Sequence, residues 1–139
     1  VSSVNHMTGC DPVVVQGNYC YVTIRTGTRC GGDLNQLDVI DITDITNPVL
    51  LKSFEMENPH GVGISGNTLF ICDGTEGLKI FDATNPETCG DNLLHQFKNI
   101  EATDIIPYNN VAIVIGEDGI YQYDYSDLSD MKLLSSIKF

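Results

Sequence analysis

Apolar and polar residues alternate in short runs along the chain, and these runs have the length of β-strands. The clearest unit contains four of them, Gly61–Ser65, Thr68–Asp73, Gly77–Asp82 and Leu93–Lys98. No segment of helical length carries the 3.6-residue apolar period of a helix. Gly66-Asn67, between the first two runs, supplies the positive φ that a tight hairpin needs. The pattern predicts antiparallel strands joined by short turns.

The same unit recurs three times along the chain. The third run of each unit ends in an aspartate, at Asp41, Asp82 and Asp124, and these positions lie 41 to 42 residues apart. Four strands in about 42 residues is the length of one β-propeller blade. We expect the three aspartates to be structural, each accepting hydrogen bonds from the turn that follows it.

The second run of the middle unit is apolar on both faces. Leu69 and Ile71 alternate with Phe70 and Cys72, so each side of the strand carries apolar groups. A solvated hairpin would expose one of these faces to water. The pattern therefore predicts a blade that is packed between two neighbouring blades.

These observations predict an all-β fold, a β-propeller with about three four-stranded blades of a larger or oligomer-completed ring. Residues 1–10 are assigned to the end of a preceding blade or to a linker, and residues 11–58, 59–100 and 101–139 to blades one, two and three. Since propellers have roughly four to eight blades, we interpret the chain as a fragment of one propeller domain. Either the rest of its own propeller or further copies would close the ring.

The charge balance is strongly acidic, with 7 Lys and Arg against 19 Asp and Glu and a formal net charge of -12. Nucleic acid is not an expected partner, because binding to phosphates requires clustered positive charge. No apolar run approaches the roughly 20 residues that span a bilayer, so no transmembrane segment is predicted.

One rim of a propeller carries the loops between second and third strands and the loops that lead into each blade, and loops commonly carry function. The chain has no G-x-S-x-G, P-loop or H-E-x-x-H pattern, so no catalytic residue is assigned. We expect charged side chains to form a binding face on this rim. They are Asp11, Arg25, Arg29, His60, Asp73, Glu76, Asp104, Glu117 and Asp118.

A metal site is a weaker alternative on the same rim. His60 with Asp11, Asp73 and Asp104 would offer imidazole and carboxylate ligands to a divalent metal such as calcium. Acidic residues also cap loops, and a chain with 19 carboxylates collects several on any face. The favoured interpretation is no metal and no cofactor.

The five cysteines form no C-x-x-C pair, which argues against a zinc framework. Cys10 and Cys30 are predicted on neighbouring loops of one blade and are the candidate disulfide. Such a bridge would close a loop of some 20 residues and pin the long segment before the third strand.

Two segments resemble the LVIVD-repeat proteins. They are Leu37–Ile42 followed by Asn47-Pro48, and Gly77–Asp82 followed by Asn85-Pro86. The resemblance covers nearly the whole chain, from about Asp11 to Phe139. It implies a propeller on a bacterial or archaeal cell surface.

Three further segments resemble the end of a surface lipoprotein of the Bacteroidetes type. They are Gly9–Pro12, Cys72–Gly74 and Tyr121–Tyr125. This resemblance implies an extracytoplasmic protein, at the cell surface or associated with the outer membrane.

The sequence favours a non-enzymatic surface or envelope module that binds protein or glycan or scaffolds a complex. Its partner would be the rest of its own propeller or another envelope protein chain. The alternative is a metal-assisted propeller enzyme, a hydrolase or lyase, that uses rim carboxylates and His60. Fold does not decide between them, whereas the convergence of the rim side chains would.

Overall fold

The computed structural model describes residues 12–27 and 33–139, which form three four-stranded antiparallel sheets. Within each sheet, every strand pairs with the next along the chain. The all-β propeller fold, with a ring that three blades leave open, is thereby confirmed. Blade one contains β1 (Val13–Gln16), β2 (Tyr19–Ile24), β3 (Gln36–Asp41) and β4 (Val49–Glu55). Blade two contains β5 (Val62–Ser65), β6 (Thr68–Cys72), β7 (Leu78–Asp82) and β8 (Leu93–Phe97). Blade three contains β9 (Asp104–Tyr108), β10 (Val111–Gly116), β11 (Gly119–Asp124) and β12 (Lys132–Lys138).

Blade two lies between the other two blades. Leu69 and Ile71 pack in an apolar cluster shared with blade one, and Phe70 and Cys72 pack in a cluster shared with blade three. All four side chains are fully buried. The prediction that both faces of this strand are covered is confirmed.

The innermost strands β5 and β9 approach each other through glycine. The Gly61 N–H donates to the Thr103 carbonyl oxygen at 2.9 Å. A Cβ atom on Gly61 would lie 2.3 Å from Asp104 Oδ1, and one on Gly63 would lie 2.5 Å from Pro107 Cδ. The two backbones therefore meet where no larger residue fits.

Positive φ angles stand at the hairpins that the sequence indicates. Gly66 has φ 57, and Asn109 and Asn110 have φ 48 and 63. Glycine and asparagine adopt this left-handed region at little cost. The residues between first and second strands therefore set the tight turns of blades two and three.

The turn after the third strand of every blade is closed by the repeated aspartate, as predicted. One carboxylate oxygen accepts the backbone N–H two residues on, at 2.7 Å from Thr43 to Asp41, 2.8 Å from Thr84 to Asp82 and 2.8 Å from Ser126 to Asp124. We call this end of the blades the aspartate end.

A second turn of the same kind follows at once in each blade. Its acceptor side chain again bonds the backbone N–H two residues further on. The pairs are Asp44 with Thr46 at 2.9 Å, Asn85 with Glu87 at 3.1 Å and Asp127 with Ser129 at 2.9 Å. In blade two this turn leads into a 3-10 helix, η2 (Pro86–Asp91), in which Cys89 is buried.

Candidate functional site

The rim is the opposite end of the blades, where β6 turns into β7, β10 turns into β11, and the chain leads into β5 and β9. Asp11 and Arg29 of the predicted binding face lie outside the described residues. Cys10 and Cys30 also lie outside them, so the disulfide stays a prediction. Within residues 12–27 and 33–139, no helix is long and apolar enough to cross a membrane.

A cavity of about 260 Å³ opens on the rim between blades two and three. A second cavity of about 400 Å³ adjoins it on blade three. Glu101 and Glu117 line both of them. We call the pair the rim cavity; its other polar lining residues are Asn58, His60, Thr75 and Thr103 in the first part and Asn99, Asp118, Tyr121 and Tyr123 in the second.

His60 is held at the first part of the rim cavity by its own backbone. Its N–H donates to the Cys72 carbonyl oxygen at 2.6 Å, and its carbonyl oxygen accepts from Thr23 Oγ1 at 2.5 Å. The second bond ties blade two to blade one. The imidazole Nε2 lies 3.2 Å from Asn58 Nδ2, so ring and amide share a hydrogen bond.

The surroundings of His60 favour the neutral form of its ring. Burial lowers the pKa of His60 below its ordinary 6.5, and the charge of Arg25 lowers it further. Asp73 and Glu117 act in the opposite direction without reversing the shift. The lowered pKa means that the His60 ring adds little positive charge beside Glu101 and Glu117.

Asp73 is committed to the fold. It is fully buried, its Oδ2 lies 2.5 Å from Lys79 Nζ, and its Oδ1 accepts the Asn58 N–H at 2.7 Å. The carboxylate thus clamps the loop that leads into blade two onto the turn after β6. It does not face the rim cavity.

Glu76 and Asp104 make their contacts outside the rim cavity. Glu76 accepts from Gln96 Nε2 at 2.8 Å and lies 2.9 Å from Lys98 Nζ, and these hydrogen bonds lower the pKa of Glu76. Asp104 accepts the Ile105 N–H at 2.9 Å and lines a groove among the inner strands β1, β5 and β9. Neither residue lines the rim cavity beside His60.

The structure brings three predicted residues to the rim cavity, His60, Glu117 and Asp118. Arg25 lies close enough for its charge to act on His60. In the part of the chain that the structure describes, no group of three or more His, Cys, Asp or Glu side chains is arranged to hold a metal ion. A set that includes Asp11 stays a prediction.

Sequence reasoning missed Glu101, Asn58 and the tyrosines of the cavity. Glu101 lies three residues before Asp104, which the sequence assigns to the rim, and this nearby carboxylate was a usable signal. Tyr121 and Tyr123 alternate along β11, which predicts burial, yet both are half-buried and line the cavity.

The wall of the second part already binds an ammonium group. Lys138 Nζ contacts the Asp118 carboxylate, lies 2.5 Å from the Tyr121 hydroxyl oxygen and 4.8 Å from the Tyr121 ring centroid. Hydrogen bonds from Lys138 and Tyr121 lower the pKa of Asp118, and the same contacts raise the pKa of Lys138. A carboxylate beside an aromatic face suits a cation.

Comparison with protein families identifies one repeat. A family model described as the LVIVD repeat matches residues 10–56 and 59–88, which is more than half of the chain. No curated protein matches the chain.

Several solved structures are similar to the chain. The N-terminal domain of Nup159 has 17% identity and a TM-score of 0.53, and the match covers 91% of this chain and 30% of that one. Nup159 in an S. cerevisiae complex with Dbp5, Gle1, IP6 and ADP has 17% identity and a TM-score of 0.52, and the match covers 91% of this chain and 30% of that one. A functionally unknown protein from Desulfotomaculum acetoxidans DSM 771 has 10% identity and a TM-score of 0.62, and the match covers 93% of this chain and 56% of that one. The chain thus spans between 30% and 56% of the length of these three structures, and these identities show the fold alone.

Proposed function

The chain belongs to the LVIVD repeat family, and on that premise we propose that it is a non-enzymatic binding module whose rim cavity receives basic side chains of a protein partner. The observation that carries the proposal is that two adjoining cavities share the carboxylates of Glu101 and Glu117. The repeat architecture supports a binding or scaffold role, because stacked repeats present their loops on a common face.

Charge favours a cationic partner. Glu101, Glu117 and Asp118 line the cavity, and the lowered pKa of His60 disfavours a positive charge on its ring. The net charge of -12 adds long-range attraction for a basic surface. Lys138, held between Asp118 and the Tyr121 ring, is an internal example of the group that such a partner would present.

We propose a location outside the cytoplasm, at the cell surface or the outer membrane, which the resemblance to surface lipoproteins supports. A Cys10–Cys30 bridge would accord with this location, because structural disulfides persist in oxidising compartments. The intact mass of protein isolated without reductant tests it: a mass lower by two hydrogens supports the location, and free thiols at both positions argue against it.

The binding proposal is tested by titrating the chain with a hexa-arginine peptide at low salt in a calorimeter. Glu101→Gln combined with Glu117→Gln should weaken binding at least about tenfold, since each carboxylate that pairs with a charged donor contributes roughly 1 kcal/mol or more. The matched control is Glu87→Gln combined with Asp91→Asn, which removes the same charge from exposed positions of η2.

The control separates a defined site from general attraction. If both double variants weaken binding equally, the acidic surface rather than the rim cavity is responsible and the proposal is wrong. If a neutral oligosaccharide binds and the peptide does not, the tyrosines of the cavity serve a glycan instead. A chelator should leave peptide binding unchanged.

A further inference from the structure

Two residues that line the second part of the rim cavity, Asp118 and Tyr121, are in contact with a lysine of the chain itself. Lys138 Nζ pairs with the Asp118 carboxylate, lies 2.5 Å from the Tyr121 hydroxyl oxygen and stands over the Tyr121 ring. A carboxylate, a hydroxyl group and a ring face therefore converge on one ammonium group.

The register of blade three places these groups on the side that faces blade two. Tyr121 is opposite Val114 across β11 and β10, and Val114 is buried in the apolar cluster shared with blade two. Ser136 is opposite Tyr121 across β12 and β11. Lys138 follows Ser136 by two residues, so its side chain leaves the same side of the sheet. Lys138 thus reaches the cavity wall from the outer strand of the blade.

The ion pair of Lys138 with Asp118 is exposed and therefore exchangeable. The two side chains keep 58% and 67% of their surface exposed, whereas Lys79 and Asp73 keep 14% and 0% in the buried pair of blade two. Exposed ion pairs contribute little to stability, because water screens the charges and both side chains lose freedom. We expect Lys138 to leave Asp118 without loss of the fold.

The combination of contacts sets Lys138 apart from other lysines. Within residues 12–27 and 33–139, it alone joins an ion pair to a ring contact. Lys132, on the same strand, lies 3.7 Å from the exposed Asp130 at the aspartate end. The carboxylate and the ring of the cavity wall together therefore form a setting for an ammonium group that an ordinary surface ion pair lacks.

We propose that the second part of the rim cavity is an ammonium subsite that Lys138 fills in the free protein, and that a lysine side chain of the protein partner binds there by displacing Lys138. The inference rests on the proposed function and deepens it, since it names the basic side chain as lysine and Lys138 as its competitor.

The chemistry of the wall favours lysine. An ammonium group is a compact charge with three N–H donors, so it can bond the Asp118 carboxylate and the Tyr121 hydroxyl oxygen while the ring attracts its charge. Glu101 and Glu117 line the same part of the cavity. A partner that carries several basic groups can pair with them as well as with Asp118, and such multiple contacts favour it over Lys138 alone.

Calorimetric titration of the full 139-residue chain with a hexa-lysine peptide at low salt tests the proposal. A subsite that is open in about a third of the molecules binds about threefold more weakly than one that is always open. Lys138→Met should therefore bind hexa-lysine at least about threefold more tightly than Lys132→Met. Lys132→Met is the matched control, because it removes the same charge from the same strand at the opposite end of the blade.

Three further measurements identify the subsite and its occupant. Tyr121→Leu added to Lys138→Met should remove the gain in affinity, since the ring is lost. Hexa-arginine should gain less from Lys138→Met than hexa-lysine, because the planar guanidinium group spreads its charge and does not match the contacts of an ammonium group. In the parent chain, the nuclear magnetic resonance signals of the Lys138 side chain should shift as hexa-lysine binds.

Separate outcomes distinguish this inference from the proposed function. The inference is wrong, and the rim cavity remains a binding site, if Lys138→Met binds hexa-lysine no better than Lys132→Met, if the Lys138 signals do not shift, or if hexa-arginine gains as much. If neither the parent chain nor Lys138→Met binds either peptide, the proposed function fails and this inference fails with it. Unchanged circular dichroism shows that the variants are folded.

Discussion

The two ends of the blades use carboxylates in opposite ways. At the aspartate end, Asp41, Asp82 and Asp124 each bond the turn of their own blade. At the rim, Glu101 and Glu117 belong to blade three alone and line a cavity at its border with blade two. Residues that recur with the repeat thus serve the blade, and residues that depart from it serve the contact between blades and the site.

The hydrogen bonds of the aspartate end also show in the acid–base behaviour. Bonds from Thr43, Thr84 and Ser126 lower the pKa of the aspartate in every blade. The rim shows mixed behaviour, since burial lowers the pKa of His60 while ion pairing lowers that of Asp118. The pKa shifts at the aspartate end therefore share one cause in all three blades, whereas those at the rim have a different cause at each residue.

The largest expected effect is at Asp73, a carboxylate near the rim that stabilises the fold. Asp73→Ala should lower the free energy of unfolding by about 3 kcal/mol, because it leaves Lys79 and the Asn58 N–H without their buried acceptor. Urea denaturation measures the loss. Lys98→Ala, which removes an exposed ion pair with Glu76, should cost much less; equal losses would show that the Asp73 clamp is not special.

The next effect concerns the junction of the blades. Gly63→Ala should cost about 2 kcal/mol through overpacking, since the new methyl group meets Pro107. Pro107→Ala added to it should restore part of the loss, which a double-mutant cycle in urea would detect. Additive losses would contradict the close contact.

Smaller effects are expected at the aspartate end. Asp41→Ala, Asp82→Ala and Asp124→Ala should lower the thermal midpoint by similar amounts, because each removes the same turn bond. Glu101→Gln and Glu117→Gln should leave the midpoint unchanged while weakening peptide binding. Differential scanning calorimetry measures these thermal midpoints. Rim variants that lower the midpoint as much as Asp82→Ala would remove the distinction between the two ends.

The smallest expected effect is the pH dependence of stability, which involves different pH ranges at the rim and at the aspartate end. The folded pKa of His60 lies below its unfolded value of 6.5, so the unfolded state binds the proton more readily and stability falls as pH drops below 6.5. His60→Gln should flatten this slope. The repeated aspartates have folded pKa values below 3.8, so their contribution is lost only as pH falls below 3.8.

The sequence predicts most of the fold because strand alternation, hairpin residues and Asp turns are local or repeating signals. Leu69 and Phe70 on opposite faces of β6 were enough to indicate two neighbouring blades. The rim is less predictable, because its contacts join loops of different blades. Nothing in the alternation of β7 shows that Lys79 reaches Asp73, and only the packing of β9 on β5 brings Glu101 to the His60 cavity.

The glycine contact between β5 and β9 has a consequence for how tightly the rim cavity can bind. Gly61 and Thr103 are joined backbone to backbone, and Asp104 fills the space that a Cβ atom on Gly61 would need. This direct contact of the two backbones holds blades two and three close together beside the rim cavity. A cavity formed before binding costs little ordering entropy on the protein side, so we expect affinity to depend on how well a partner matches its shape.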